Sequence, residues 1–402
     1  MSLETVKMRA RGFICVNAHP AGCARNVDQQ IAALTSHQPP RVAGPKNALV
    51  IGSSTGYGLA SRIAAAWGCG AATLGIFFER PPEEGKTATA GYYNTVSFHQ
   101  RASGDGLPAF SINGDAFSDD VKRRAAEILR TRMAPVDLVV YSLASPRRVH
   151  PRTSVVHNSV LKPIGQPFTG RTIDLNSEKV MDVIIDPASE QEITDTVAVM
   201  GGEDWQFWME MLLEQGLLAR AARTVAFSYI GPEVTWPIYT NGTIGRAKKH
   251  LQETAARLDA LLQSKLGGHA WVSVNKAVVT QASAAIPVVP LYLSLLPRVM
   301  KAKGLEEGCI EQMRRLLFTH LANGHTPALD EARRIRMDDW EMRTDVQAEV
   351  AQVFPNVTSE NLLASTDFTW FKRAFRNLFG FEIEGVDYAQ PVEIDTNWEQ
   401  GK

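Results

Sequence analysis

The chain has 402 residues, 45% of them hydrophobic and 21% charged, an ordinary globular composition large enough to bury a core without disulfide staples. Its formal net charge of −1 excludes the basic balance of a nucleic-acid binder. The cysteines Cys15, Cys23, Cys69 and Cys309 form neither a CxxC pair nor a Cys/His zinc spacing, so four reduced thiols and no metal are expected.

In chain order, residues 1–46 are mixed and end in QPPRVAGPK, which reads as a linker feeding a strand. The short apolar run NALVI (47–51), followed by glycine, fits a buried parallel strand. Residues 59–67 have helical spacing and residues 71–78 read as a second strand, so a βαβ unit is predicted. Residues 118–133 form an amphipathic helix with Asp119 and Asp120 in its first turn, where acids suit the helix dipole. Strands are predicted at 136–143, 221–228 and 269–274, and helices at 203–218 and 245–262.

From Pro297 onward the sequence turns helical, charged and rich in Arg, with a helix at 306–321 and a segment, RIRMDDWE (334–341), too polar for a core. The most apolar stretch, residues 284–296, is shorter than the ~20 residues of a membrane span and is interrupted by Pro287 and Pro290. The N-terminus has no apolar signal-peptide run. A soluble, cytoplasmic protein with no stable membrane association is expected. The alternation of strands and helices predicts an α/β fold: a Rossmann-type, doubly wound parallel sheet with helices on both faces.

The turn Gly52-Ser53-Ser54-Thr55-Gly56-Tyr57-Gly58 lies between the first strand and its helix. Glycines there let the backbone approach a phosphate, and the helix N-terminus offers free N–H groups to an anion. Three glycines also make an ordinary structural turn; the flanking βαβ unit favours the cofactor reading. Glu79 ends the second strand about 20 positions after Gly58, where an acid accepts hydrogen bonds from the adenosine ribose. A carboxylate there repels a 2′-phosphate, so NADH is predicted over NADPH, with Arg80 as the neighbour able to rescue some NADPH binding. Asp115 and Ala116 follow a plausible strand and suit the adenine; Leu143, Ala144 and Ser145 suit the nicotinamide ribose.

Short-chain dehydrogenases pair a Tyr with a Lys, whose cation favours ionisation of the phenol and holds the nicotinamide ribose. Here Tyr239 and Lys248 stand at a Tyr-x8-Lys spacing. Nine residues of continuous helix turn about 900° and would put the two on opposite faces. The pair works only if Tyr239 precedes the helix, which Asn241, Gly242 and Gly245 favour. Tyr229, at a strand end, is placed to donate to a substrate carbonyl.

These residues resemble the trans-2-enoyl-CoA and enoyl-acyl-carrier-protein reductases of the Tyr-x8-Lys type, an enlarged branch near the short-chain dehydrogenases. The likeness runs from RGFICVNAHPAGC through GSSTGYGLASRIAAAWGCGAATLGIFFE, SLASPRR and VMGGEDWQFWMEML, then SYIGPEVTWPIYTNGTIGRAKKHL and NKAVVTQASAAIPVVPLYLSLL, to RIRMDDWE. Ser53 departs from the Ala of many relatives. The resemblance implies Gly52 to Gly58 as the pyrophosphate loop, Phe78 and Glu79 as adenosine contacts, Asp115 and Ala116 at adenine, and Leu143 and Ala144 at the ribose. It implies Tyr239 as proton donor, Lys248 as its cofactor-binding partner, Tyr229 as the carbonyl contact, and Val278, Val279 and Thr280 at the nicotinamide.

The implied activity is NADH-dependent reduction of the carbon–carbon double bond of a trans-2-enoyl thioester, carried on CoA or acyl carrier protein, in fatty acid biosynthesis. A carbonyl reductase sharing the same cofactor residues is the alternative. One domain over 1–402 is expected, with substrate-binding segments at about 150–220 and 281–402, acting as a monomer. Residues 284–296 are expected to line an acyl tunnel; Trp205, Phe207 and Trp208 are candidates for an opposite wall, although aromatics at helical spacing are more often core. Arg147-Arg148, Arg314-Arg315 and Arg333-Arg334 are candidate docks for an acidic carrier protein.

Overall fold

Apolar runs alternating with helices produce one large sheet, seen here in a computed structural model that describes residues 3–11, 14–133, 135–284, 286–322 and 324–398. The elements that position the site are α1 (Pro20–Ser36), β1 (Asn47–Ile51), α2 (Gly56–Cys69), β2 (Ala72–Phe77), α3 (Ala90–Gly104), β3 (Ala109–Asn113), α4 (Asp119–Ile128) and β4 (Val136–Tyr141). There follow an antiparallel hairpin of β5 (Phe168–Asp174) and β6 (Lys179–Ile185), then α5 (Glu190–Met200), α6 (Glu203–Glu214) and β7 (Leu218–Ser228). The last are α7 (Thr243–Leu266), β8 (His269–Val274), α8 (Val289–Ala302), β9 (Ile335–Arg336) and α9 (Phe368–Asn377).

Seven strands pair in the order β9-β8-β7-β4-β1-β2-β3, all parallel. The chain starts in mid-sheet at β1, steps outward to β3, and returns to β4 on the other side of β1. Ligands of open α/β sheets bind at such a reversal, beyond the carboxyl ends of the strands. The doubly wound class is as expected.

Period-two alternation sorts β1 between two cores. Leu49 and Ile51 face Trp205, Trp208 and Leu258, under α6 and α7. Ala48 and Val50 face Ile63, Phe98 and Leu317 on the opposite side. A third apolar cluster gathers Ile238, Tyr239, Leu291, Tyr292 and Phe371 around α8. No helix among the described residues is long and apolar enough to cross a membrane.

Several expectations need correction. Residues 1–46 are not only a lead-in: they hold the 17-residue α1, whose buried Val27 and Leu34 recur at a seven-residue spacing. The helix expected over 203–218 stops at Glu214, because the chain turns at Gly216 (φ 66°) and Leu218 already starts β7. The helices expected over 118–133 and 306–321 each end in a wider π-turn, at Leu129–Met133 and Leu316–His320. Most important, the segment 334–341 is core. Ile335, Met337, Asp338 and Glu341 are all wholly buried, and β9 within it is the seventh strand. Asp338 tolerates burial because it is paired: Arg336 holds it through two bonds of 2.7 Å.

Candidate active site

The glycine turn leaves β1 under tight constraint. Gly52 has φ +86°, and a Cβ there would approach the Ser142 carbonyl oxygen, just beyond β4, to 2.2 Å. A Cβ on Gly58 would lie 1.8 Å from the Gly52 oxygen. Side chains at either place would push α2 away from the strand ends. Ser53 is buried and donates to the Ile76 carbonyl. Thr55 precedes α2 with no side-chain capping bond, so the helix N-terminus presents its first N–H groups beside the turn. Leu143 lies within 3.3 Å of the Cβ position of Gly52, and Thr280 within 3.5 Å of that of Gly56. Three of the predicted cofactor segments thus converge at the sheet's reversal. Tyr57 turns away from them: its hydroxyl donates to the Lys276 carbonyl at 2.7 Å and accepts from Gln312 at 2.6 Å, tying α2 to the exit of β8.

Glu79 follows β2. The Ser54 hydroxyl donates to it at 2.7 Å, which links the glycine turn to the acid directly. Asn113, ending β3, clamps the Glu79 backbone through both its amide oxygen (2.9 Å) and its amide nitrogen (2.8 Å). Burial pushes the Glu79 carboxyl above its ordinary value, and hydrogen bonds from Thr89 and Ser54 pull against it. Phe78 beside it is 77% exposed, a flat apolar surface next to the acid. Arg80 is exposed and reaches back to the Val16 and Thr87 carbonyls. Asp115 accepts from the Phe117 N–H, and the buried Ala116 gives its carbonyl to Lys122 (3.0 Å) and Trp208 (3.1 Å). Ala144 is exposed past β4.

The end of β7 gathers the other half. Tyr239 lies in a turn before α7, which begins at Thr243, so the long Tyr–Lys spacing is absorbed by the loop. The Tyr239 and Tyr229 rings meet edge to face with centroids 5.0 Å apart. Lys248, half-buried on α7, donates to the Phe227 carbonyl at 3.0 Å. Lys248 therefore touches the end of β7, and Tyr239 the residue just beyond it. Burial pulls the Lys248 ammonium down to about 8, and pushes the Tyr239 phenol up. Beyond β8, the Ser283 hydroxyl donates to the Val278 carbonyl (2.7 Å) and accepts from the Thr280 N–H (2.8 Å); Val279 packs into the apolar clusters around it.

Sequence reasoning missed Glu341 and Tyr292. Glu341 accepts from Tyr229 (3.0 Å), Tyr292 (2.6 Å) and the Ala277 N–H (2.7 Å). Its signal was an acid in a segment whose apolar residues alternate with charge. The readings of Trp205 and Trp208 as a wall and of Arg148 as a dock do not hold. Trp205 and Trp208 are wholly buried behind the sheet, donating to Thr224 and Ala116, so they form core and no tunnel wall. Phe207 stacks under Arg152. Arg148 is buried and bonded to Glu203 and the Ala198 carbonyl, which removes it as a dock. Arg315 is held by Glu307 and Asp339, Arg334 by Asp330 and Arg333 by Asp259.

Three family models match the chain. They are described as the NAD(P)H binding domain of trans-2-enoyl-CoA reductase (residues 5–84), the trans-2-enoyl-CoA reductase catalytic region (86–322) and an enoyl reductase FAD binding domain (329–392). An enoyl-[acyl-carrier-protein] reductase [NADH] from Opitutus terrae is 55% identical over 96% of this chain and 98% of its own length. The trans-2-enoyl-CoA reductase of Clostridium acetobutulicum, solved in complex with NADH, matches with a TM-score of 0.94 and 40% identity over 97% of this chain and 98% of that one. That of Treponema denticola, solved with NAD, gives a TM-score of 0.92 at 46% identity over 96% and 98%.

Residues 329–392 do not fit a flavin. To the seven-stranded sheet they contribute only the two-residue β9, with no glycine turn into a helix, and Phe368, Phe371 and Phe375 are buried in core. A surface hollow of about 680 Å³ there is lined by Ala348, Glu349, Gln352, Val353, Asn356, Asn361 and Ser365, with no cation for a pyrophosphate.

Proposed function

The chain belongs to the trans-2-enoyl-CoA reductase family, and we propose that its active centre lies where β1, β4, β7 and β8 end, with Tyr239, Tyr229 and Lys248 around the reacting atoms. It is an NADH-dependent reductase of enoyl thioesters. The observation that carries the assignment of its centre is the pair of phenols in edge-to-face contact beside the strand that also anchors Lys248.

The residues fit an adenine dinucleotide. The turn from Gly52 to Gly58 and the uncapped start of α2 would hold the pyrophosphate, and Glu79 would accept from the adenosine ribose hydroxyls. Phe78 would cover the adenosine, with Asp115 and Ala116 flanking its base. Leu143 and Ala144 would line the nicotinamide ribose, and Val278, Val279 and Thr280 the nicotinamide. When bound, NADH supplies the hydride that the β-carbon of the enoyl thioester receives.

Negative charge then develops on the thioester oxygen. Tyr239 and Tyr229 donate hydrogen bonds to that oxygen in a buried setting, where fixed donors act most strongly. Tyr239 provides the proton that completes reduction. Lys248, kept as a cation, favours loss of that proton and would hold the cofactor ribose. Ile238, Ile286, Val288 and Leu291 give an apolar wall for the acyl chain, next to Tyr239 in one cluster. We read the whole chain as one Rossmann-type domain with substrate-binding segments at about 150–220 and 281–402, working as a cytoplasmic monomer on CoA or carrier-protein thioesters.

The test is NADH oxidation with crotonyl-CoA set against a panel of ketones. Turnover of crotonyl-CoA that Tyr239→Phe abolishes, with NADH binding kept, is the expected result. Turnover of ketones alone would replace the reading with carbonyl reduction.

A further inference from the structure

Two phenols converge on one buried carboxyl. Glu341 Oε1 accepts from the Tyr292 hydroxyl at 2.6 Å and from the Tyr229 hydroxyl at 3.0 Å, while Oε2 accepts from the Ala277 N–H at 2.7 Å. Glu341 and Tyr292 are wholly buried; Tyr229 is half-buried against the Tyr239 ring. Glu341 thereby joins the end of β7 to the segment that leaves β8, from a position 112 residues beyond Tyr229.

A phenol has one proton. While Tyr229 gives it to Glu341, none is left for the thioester oxygen. A carboxylate one hydroxyl away also opposes the negative charge that grows on that oxygen. The three partners differ in what they can change. The Ala277 N–H only donates. The Tyr292 oxygen already receives a hydrogen bond from Gln347 at 3.2 Å, which leaves the Tyr292 proton for Glu341. The Tyr229 bond is the one whose direction can reverse.

Resting on the reading of Tyr229 as a donor to the substrate, we propose that Glu341 is a positioning residue that acts as a neutral acid. Its own O–H donates to the Tyr229 oxygen, and the Tyr229 proton is then directed at the thioester oxygen. Oε1 still accepts from Tyr292 and Oε2 from Ala277, so every buried group keeps a partner.

The groups facing Glu341 are Tyr229, Tyr292, the Ala277 amide and Lys276, which is itself buried and bonded to the Ala277 carbonyl at 2.9 Å. Burial pushes the Glu341 carboxyl above its ordinary value, while Tyr292 and Lys276 pull against it. The same burial pushes Lys276 down, which weakens that pull.

Infrared difference spectra of the wild type against Glu341→Gln test the protonation state. A protonated-carboxyl band present in the wild type at neutral pH and lost in the variant is expected; no such band overturns the proposal. Kinetics test the route through Tyr229. Glu341→Leu should lower kcat by about tenfold or more, with KM for NADH little moved, and Glu341→Gln should recover part of that loss because its amide N–H can donate to Tyr229, although that nitrogen cannot accept from Tyr292. In a Tyr229→Phe background the Leu change should cost less than about twofold further. A loss of equal size in both backgrounds means a merely structural role and overturns the proposal. If Tyr229→Phe alone leaves kcat undiminished, the reading of Tyr229 fails and takes the proposal with it. A normal Tyr229→Phe loss with no carboxyl band sinks the proposal alone.

Discussion

The two ends of the proposed active centre are assembled in different ways. The cofactor end is local: β1, the glycine turn, α2, β2 and Glu79 are one continuous run, and Ser54 reaches Glu79 only 25 residues on. The reducing end is gathered from across the chain: Tyr229 from the exit of β7, Lys248 from α7, Thr280 from beyond β8 and Glu341 from beyond β9. Phosphate recognition needs little more than one helix terminus and a tight turn. Stabilising a charge on a substrate oxygen needs several donors aimed at one point, and here only the completed sheet supplies them.

That contrast predicts where damage is chemical and where it is structural. Tyr239→Phe strikes the gathered end and should lower kcat by roughly 10²–10⁴-fold while the NADH dissociation constant, read by fluorescence titration, stays nearly constant. Comparable loss of NADH binding would tie the two ends together more closely than their separate assembly implies. Lys122→Ala strikes the local end from behind. Lys122 and Asp204 form a pair that is 5% and 2% exposed, and Lys122 also holds the Ala116 and Phe117 carbonyls. Leaving Asp204 unpaired should cost about 3–5 kcal/mol in a denaturant titration, and a loss below about 1 kcal/mol would mean that the charges do not depend on each other.

Glu79→Ala removes the acceptor without touching the phenols. kcat/KM for NADH should fall by about 10–100-fold, and the NADPH-to-NADH ratio should rise; an unmoved ratio would end the ribose assignment. The pH profile probes Lys248 by itself. Its ammonium, pulled down to about 8 by burial, is charged below that pH and neutral above it. kcat/KM should therefore be level toward neutral pH and decline as pH rises through about 8. A profile flat well into the alkaline range would show that the cation is not needed. At the small end, Arg333→Ala breaks an ion pair in which the arginine is 65% exposed, and stability should change by about 0–1 kcal/mol.

Legibility in the sequence follows the same division. β1 and β8 were bounded correctly from their apolar runs, because strands covered on both faces leave no polar alternation to confuse. The nearness of the glycine turn to Glu79 was readable because both lie on one continuous strand–helix–strand run, and the Ser54–Glu79 hydrogen bond shows it. The turn that separates Tyr239 from α7 was readable from Asn241, Gly242 and Gly245. The burial of Glu341 was not, since hydropathy counts an acid as exposed and its partners come from just beyond β7, from beyond β8 and from α8. Arg148 misled in the same way: a doublet of arginines looks like surface, yet Glu203 and the Ala198 carbonyl make its burial possible. Trp205 and Trp208 had the helical spacing of a core face and proved to be one, with their indole N–H groups bonded inside it.

The most direct measurement is a crystal structure with NADH and a saturated acyl-CoA bound. The Tyr239 and Tyr229 hydroxyls should lie within hydrogen-bond distance of the thioester oxygen, and the Lys248 ammonium on the nicotinamide ribose. A dinucleotide seated in the glycine turn with Tyr239 and Lys248 directed away from its reduced ring would contradict that placement.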